Sequence, residues 1–212
     1  MEIFRIAGSQ GVERLCVCRL SVSFFGLGIR AFTIGHTPKG TSGRNTRGQV
    51  AETLNTKGIY SLVRNPLYLG NFFMGLGPAL MVHEWWLTVI YVLTFWLYYE
   101  RIIYAEESFL EAKFGTTFTE WARVTPCIQP KLTGYRKPDL AFSARNVLRR
   151  EYNGFFAVVL VLFMLETVAD LSVLGRFEFE KEWLFLVAVS FAAWLTLRLL
   201  KRHTGLLKVD GR

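Results

Sequence analysis

Apolar residues along this chain fall into five blocks separated by polar and basic stretches. The first block, residues 15–34, is interrupted by two arginines and fits either a full membrane span or a shortened, interfacial helix. The other four cover residues 67–83, 85–104, 155–174 and 183–200. Each block can form a helix that crosses a hydrocarbon core of about 30 Å. The pattern predicts an all-α, polytopic membrane protein with about five transmembrane helices.

The third block continues into a polar helix outside the membrane. The sequence after residue 104 keeps helix-forming residues up to Gly115, a residue typical of a helix C-terminus. Thr117 and Glu120 have the spacing of a capping box, which predicts a short helix through Val124. We therefore expect a helical segment at the membrane surface. The predicted regions are a membrane helix with its lead-in (1–40), a core (41–130), a linker (131–150) and an additional hairpin with a basic tail (151–212).

The charge distribution predicts orientation rather than nucleic-acid binding. The net charge is +8, and the Lys and Arg residues flank the apolar blocks. Residues 35–66 carry five of them, 105–152 eight, and the chain after 200 four, whereas 175–182 carries two. The basic regions are expected on the cytoplasmic side. The three cysteines indicate neither a disulfide framework nor a metal site, and no nucleic-acid partner is expected.

A glycine motif inside the first block resembles a dinucleotide-binding fingerprint. Residues 26–31, GLGIRA, fit G-x-G-x-x-A. That motif requires a preceding strand and a βαβ unit, and an apolar block supplies neither. We interpret these glycines as positions where helices pack closely.

Two polar groups of residues lie at the predicted membrane boundary. The long run 41–71 ends with Arg64, Asn65 and Tyr68 at the start of the second block. Glu106 and Glu107 lie where the third helix leaves the membrane, and they project about 100° apart. At most one of them is therefore expected to face a given pocket.

Glu106 is the favoured member of this pair. It shares a helix face with Ile102, Ile103 and Leu110, and a carboxylate on an apolar face needs a partner. Two further acids, Glu166 and Asp170, lie within the fourth block, where they fit either a functional role or the outer interface.

At this point the sequence resembles a known superfamily. ETLNTKGIYSLVRNPLYLG, followed by EESFLEAKFGTTFTEW and Pro126, is similar to the isoprenylcysteine carboxyl methyltransferases and phospholipid methyltransferases. These are integral-membrane enzymes that use S-adenosylmethionine. Their pattern combines T-x-G-x-Y, R-H-P-x-Y-x-G and E-E-x-x-L-x-x-x-F-G. The resemblance covers about residues 45–130.

The resemblance implies specific site residues. The positions that would meet the cofactor are Asn45, Glu52, Thr53, Leu54, Asn55, Tyr60, Asn65, Pro66, Leu67 and Tyr68. The acceptor-side glutamate falls on Glu106. Arg64 and Arg101 complete the candidate catalytic set, although Arg101 projects about 100° from Ile102, the position where the prenylcysteine enzymes carry an arginine. Asn65 replaces the usual histidine.

We therefore predict a membrane methyltransferase that uses S-adenosylmethionine and acts on a lipid in the bilayer. The acceptor would be a phospholipid amine or the 1-phosphate of lipid A, for which Arg44, Arg47 and Arg64 suit a phosphate. Ile102 makes prenylcysteine the third choice. Alternatives are an NADPH-dependent reductase of the sterol or steroid reductase type and a non-catalytic protein with the same fold. A bacterial inner membrane, with the cofactor site facing the cytoplasm, is the expected location.

Overall fold

The computed structural model describes residues 9–38, 51–82, 84–177 and 179–211. Six α-helices follow one another along this part of the chain, and within it there is no β-strand, only an isolated antiparallel bridge between Gly58 and Arg136. The prediction of an all-α protein is confirmed. The helices are α1 (Ser9–His36), α2 (Pro66–Met81), α3 (Trp85–Phe114), α4 (Thr116–Val124), α5 (Ala144–Leu174) and α6 (Lys181–His203).

The closest helix contact joins α1 and α2 through glycines. A Cβ added to Gly26 would overlap the carbonyl oxygen of Gly70 and lie 2.5 Å from the backbone nitrogen of Met74. The Ser23 hydroxyl, beside this crossing, donates to the Met74 carbonyl oxygen at 3.0 Å. Gly28, in contrast, faces open space. The packing interpretation of GLGIRA is therefore confirmed for Gly26 and wrong for Gly28.

Helix α3 is unbroken from Trp85 to Phe114, as predicted, and Gly115 ends it with φ of 53°. The same glycine is the N-cap of α4, which begins at Thr116. The predicted capping box is wrong, because Thr117 already lies inside the helix and Gly115 provides no side-chain cap. Only glycine tolerates this positive φ without strain, so the sharp break between α3 and α4 depends on Gly115.

Helix α5 begins well before its apolar block. The hydroxyl of Ser143 caps it by accepting a hydrogen bond from the Asn146 backbone N–H at 3.3 Å. The buried Asn146 side chain donates to the carbonyl oxygen of Ile34 at 2.8 Å, which attaches this helix start to the end of α1. Residues 144–150, predicted as linker, are thus the first two turns of α5.

Within the described residues, two helices are long and apolar enough to cross a bilayer. They are residues Ala144–Ser172 of α5 and all of α6, whose most apolar 18-residue windows have mean hydropathies of 2.1 and 1.9. Only 17% and 11% of their most apolar windows are buried, so these helices are not the core of a soluble fold. The predicted count of five spans is not reproduced by this test, since α2, for example, has only 16 residues. The small buried core lies where Met81 of α2 meets α5 and Trp183 of α6.

Candidate functional site

A cavity of about 870 Å³ is lined by α1, the segment before α2, helices α2 to α4, the start of α5 and the end of α6. Ten of the predicted site residues line it: Thr53, Leu54, Asn55, Tyr60, Arg64, Asn65, Pro66, Leu67, Tyr68 and Glu106. Glu52 and Arg101 are exposed and do not line the cavity. Asn45, Arg44 and Arg47 lie outside the described residues. The structure thus brings together most of the residues that the resemblance implied.

Backbone pairing holds the loop before α2 against the chain after α4. The Arg64 N–H donates to the Pro126 carbonyl oxygen at 2.9 Å, and the Asn65 N–H donates to that of Cys127 at 3.2 Å. The Trp121 indole N–H donates to the Tyr60 carbonyl oxygen at 3.1 Å. These bonds satisfy backbone groups that would otherwise be unpaired next to a cavity. The loop is therefore a fixed wall of the cavity.

Arg64 forms a bidentate ion pair with Glu107. Its Nε and Nη2 each lie 2.9 Å from a carboxylate oxygen, and the two side chains are only 17% and 20% exposed. Its Nη1 donates to the carbonyl oxygens of Ala122 and Thr125 at 2.8 and 3.1 Å. With these four bonds, the guanidinium joins α3, the end of α4 and the loop before α2. This geometry favours a structural role over the predicted contact with a phosphate.

Both adjacent glutamates of α3 line the cavity, so the prediction that at most one faces it is wrong. The loop at residues 64–65 contacts Glu107, and Tyr68 of α2 contacts Glu106. Asn65, the residue in place of histidine, donates from Nδ2 to Glu107 Oε1 at 3.0 Å. Glu107 is therefore held by Arg64 and Asn65 together.

Glu106 lies on the side of α3 that faces α2. The Tyr68 hydroxyl donates to Glu106 Oε2 at 2.7 Å, and among the described side chains it is the donor to this carboxylate. Ile102, one turn earlier on α3, also lines the cavity and presents an apolar surface there. Glu106 thus has a carboxylate oxygen available for a group within the cavity.

Sequence reasoning missed a second polar network that joins four helices. The Arg30 guanidinium (α1) makes a bidentate pair with Glu151 (α5), at 2.8 and 2.6 Å. Its Nη1 also donates to Asn71 Oδ1 (α2) at 2.8 Å, and Asn71 donates to the Tyr99 hydroxyl oxygen (α3) at 3.0 Å. All four residues line the cavity. The available signal was Arg30 itself, because a charge inside an apolar block requires a partner.

Cys127 adjoins the cluster formed by Glu107, Arg64 and Asn65, which is called the Glu107 cluster below. Burial and the neighbouring Glu107 carboxylate raise the pKa of its thiol, and Arg64 opposes this shift. The thiol is therefore protonated at neutral pH and is a poor nucleophile. Among the described residues, no three His, Cys, Asp or Glu side chains group together as metal ligands.

A fixed polar loop beside two carboxylates, in a cavity between apolar helices, is the arrangement of a membrane-embedded site for a small polar ligand. Residues 29–117 match the family model described as phospholipid methyltransferase. No solved structure matches the chain significantly.

Curated relatives cover the same region. A cobalt-zinc-cadmium resistance protein of Cupriavidus metallidurans is 40% identical over 89 residues, which is 42% of this chain and 41% of the relative. The protein-S-isoprenylcysteine O-methyltransferase of Schizosaccharomyces pombe is 32% identical over 73 residues, 34% of this chain and 31% of the relative. That of Mus musculus is 30% identical over 84 residues, 40% of this chain and 30% of the relative.

The matched segment, residues 29–117, is less than half of the chain, and over this segment the chain is similar to phospholipid methyltransferases and to isoprenylcysteine methyltransferases. The chain spans about two fifths or less of the curated relatives described above. Helices α5 and α6 lie beyond the matched segment.

Proposed function

We propose that this chain is an S-adenosylmethionine-dependent membrane methyltransferase that methylates a lipid headgroup. The observation that carries the proposal is the cavity, which joins the loop at residues 53–68 to Glu106 on α3. Both segments lie within the matched residues 29–117. We place the cofactor site on the cytoplasmic side because the flanking segments are rich in Lys and Arg.

The residues present fit the cofactor. A volume of about 870 Å³ lies within the usual range of ligand pockets, roughly 300 to 1,000 Å³, and leaves room for a cofactor and part of an acceptor. Thr53 and Asn55 supply polar groups, and Tyr60 and Trp121 supply aromatic rings. When bound, S-adenosylmethionine would supply an electrophilic methyl group.

The task of the chain is to align the acceptor and exclude water. Tyr68 fixes the Glu106 carboxylate, and the fixed carboxylate would orient a headgroup or accept its proton. Arg64, Asn65 and Glu107 hold the loop wall in place.

A lipid acceptor is supported by where the cavity opens. Tyr98 lines the cavity and is nevertheless 62% exposed, so the cavity reaches the outer surface of α3. That surface carries exposed Leu93 and Leu97, and an extended apolar surface is typical of contact with lipid. An acyl chain would lie along this surface while its headgroup enters the cavity. Ile102 on the cavity wall disfavours an acceptor carboxylate at that position.

The test is methyl transfer by the purified protein in detergent. Methyl-labelled S-adenosylmethionine is incubated with a total bacterial lipid extract, and in parallel with a farnesylated cysteine analogue. We expect label in a lipid whose mass has increased by one methyl group. Resistance of that label to mild base would exclude a carboxyl methyl ester, which is hydrolysed to methanol. A methylated amine and a methyl phosphate both resist mild base, and the mass of the labelled lipid distinguishes them.

The other outcomes separate the alternatives. If only the farnesylated cysteine is labelled and the label is labile to base, the acceptor is prenylcysteine and not a lipid headgroup. The names of two relatives suggest this alternative. Binding of NADPH without binding of S-adenosylhomocysteine would contradict the methyltransferase and favour a reductase. Binding of neither would favour a non-catalytic protein.

A further inference from the structure

A chain of hydrogen-bonded side chains runs from α5 to a tyrosine of α3. Glu151, only 5% exposed, accepts two hydrogen bonds from the Arg30 guanidinium at 2.8 and 2.6 Å. Arg30 Nη1 donates to Asn71 Oδ1 at 2.8 Å, and Asn71 Nδ2 donates to the Tyr99 hydroxyl oxygen at 3.0 Å. The chain therefore connects α5, α1, α2 and α3, and it ends at Tyr99 on the cavity wall.

The direction of each bond in this chain is fixed by chemistry. A guanidinium has only donors, so the Asn71 atom that faces Arg30 must be the amide oxygen. The amide nitrogen then faces Tyr99 and offers only protons, so the Tyr99 oxygen must accept. The chain thus leaves the hydroxyl proton of Tyr99 unused. Among the described residues no group accepts a hydrogen bond from Tyr99, so this proton is available to a ligand in the cavity.

Neighbouring rings hold Tyr99 in place. Its ring stacks on that of Phe95 with the centroids 4.1 Å apart, and the Tyr68 ring of α2 lies 5.0 Å away. A side chain that is already fixed by packing and by a hydrogen bond loses little conformational entropy when a ligand binds. The Tyr99 hydroxyl is therefore a preorganised hydrogen-bond donor.

The position of Tyr99 along α3 indicates which part of a ligand it meets. Tyr99 precedes Glu106 by seven residues, so the two lie on the same helix face, about 10 Å apart along the axis. Tyr99 is closer to the exposed apolar part of α3 and adjoins Tyr98, where the cavity reaches the outer surface. A lipid with its headgroup at Glu106 and its acyl chains on that apolar surface would place the groups between them beside Tyr99.

We propose that Tyr99 is a specificity-determining residue that donates a hydrogen bond to an oxygen of the lipid acceptor. This oxygen belongs to an ester carbonyl or to a phosphate between the acyl chains and the methylated group. The inference rests on the proposed function, because it requires the headgroup to meet Glu106. Glu151, Arg30 and Asn71 act through Tyr99 and are positioning residues. Helix α5, which lies beyond the matched segment, thereby takes part in the selection of the lipid.

Native mass spectrometry of the purified protein in detergent measures the binding of two lipids. They are dioleoyl phosphatidylethanolamine and its dioleyl ether analogue, which keeps the phosphate and lacks the ester carbonyls. Tyr99→Phe removes the donor at nearly unchanged volume. It should weaken the ester lipid by about two- to tenfold if a carbonyl accepts the bond, or both lipids by about tenfold or more if the charged phosphate does. Tyr104→Phe is the matched control, since Tyr104 lies on α3, is 76% exposed and does not line the cavity.

Asn71→Asp tests the positioning and keeps the Tyr99 hydroxyl. The new carboxylate still accepts from Arg30, and its second oxygen accepts the Tyr99 proton in place of the lipid. We expect the same loss of lipid binding as in Tyr99→Phe and no further loss in the double variant, because both changes remove one bond. A merely structural effect would lower the melting temperature and add to the loss caused by Tyr99→Phe. Lipid binding equal to that of the unmodified protein would show that the assigned proton direction is wrong.

The outcomes for Tyr99→Phe separate the possible ligands. Loss confined to the ester lipid identifies the carbonyl, and equal loss for both lipids identifies the phosphate. If Tyr99→Phe binds both lipids as the Tyr104→Phe control does, the inference is overturned. It is also overturned if calorimetry shows weaker binding of S-adenosylhomocysteine alone, since the proton would then meet the cofactor. If the unmodified protein does not bind S-adenosylhomocysteine, the proposed function fails, and the lipid comparison still decides the role of Tyr99.

Discussion

At the scale of single residues, Glu106 and Arg64 have opposite roles, although both are cavity residues. The Glu106 carboxylate has Tyr68 as its donor and faces the cavity, whereas all the Arg64 contacts are within the fold. Glu106→Gln removes the charge at nearly unchanged volume. We expect methyl transfer to fall by roughly 10²-fold or more, the range for a group that transfers a proton, and S-adenosylhomocysteine binding to persist. Tyr68→Phe should give a smaller loss.

Glu111→Gln is the matched control for this prediction, since Glu111 lies five residues further along α3 and is exposed. Transfer rates of the variants with saturating cofactor provide the measurement. Full activity in both Glu106→Gln and Tyr68→Phe would show that the acceptor does not meet this carboxylate.

Arg64→Gln should reduce stability. The variant leaves Glu107 without its bidentate partner and two carbonyl oxygens without a donor. Breaking a largely buried ion pair lowers the free energy of unfolding by about 3 kcal/mol or more. Unfolding in detergent by titration with dodecyl sulfate measures this change. The control is Lys57→Gln, which breaks the exposed Lys57–Asp139 pair and should change stability by less than about 1 kcal/mol. Equal effects of the two substitutions would contradict the structural role of Arg64.

Cys127 provides a pH-dependent reporter of the Glu107 cluster. Its pKa is raised by burial and by Glu107, so the reactive thiolate forms only at a pH above that of an ordinary thiol. In a Cys16→Ala, Cys18→Ala background, alkylation by iodoacetamide should reach its half-maximal rate at a higher pH than alkylation of glutathione. Glu107→Gln removes a charge that raises the pKa and leaves Arg64, which lowers it, so the midpoint should move to lower pH. A midpoint at or below that of glutathione would contradict the described environment.

At the scale of elements, the α1–α2 crossing depends on one glycine of the pair in GLGIRA. Gly26→Ala places a methyl group against the backbone of α2, and backbone atoms cannot rotate away as a side chain can. We expect a loss of about 1–3 kcal/mol, as for other overpacked sites. Gly28→Ala is the internal control. It adds a methyl group in open space on the same helix and should be neutral or stabilising by up to about 1 kcal/mol, because alanine favours the helix.

Thermal unfolding of the two glycine variants in the same detergent distinguishes close packing at the crossing from a general loss of helix flexibility. A general loss of helix flexibility would affect both variants alike. Close packing affects Gly26→Ala alone, and an equal shift in melting temperature would therefore refute the crossing.

At the scale of the whole molecule, the sequence predicted local features better than long-range ones. The end of α3 was predicted from the glycine at position 115. The placement of Glu106 on the cavity side follows from helix periodicity. The Arg30–Glu151 pair joins residues 121 positions apart, and periodicity within one helix contains no information about such a partner. The contribution of α5 to the cavity was missed because residues 144–150 are polar and were assigned to a linker. The contact of Glu107 with the cavity wall was missed because its partner, Arg64, lies 43 residues away in the sequence.

The exposed surface of α3 bears on the number of membrane spans. Trp85, Ile90, Leu93 and Leu97 are 77%, 51%, 57% and 62% exposed. Transfer of such side chains from water to an apolar environment is favourable by about 1.5–3 kcal/mol each. Trp85 and Trp86 begin the helix, where aromatic rings favour the membrane interface. We therefore expect α2 and α3 to cross the bilayer together with α5 and α6.

Fusions of alkaline phosphatase and of green fluorescent protein, expressed in a bacterial inner membrane, test this arrangement. Fusions after residues 134 and 211 should fluoresce, since the basic segments are cytoplasmic. Fusions after residues 84 and 177 should have phosphatase activity. Fluorescence after residue 84 with phosphatase activity after 177 would mean that only the α5–α6 hairpin spans the bilayer. Phosphatase activity after residue 134 would place the cavity on the side away from the cytoplasmic pool of S-adenosylmethionine, and the proposed methyl transfer would then lack its donor.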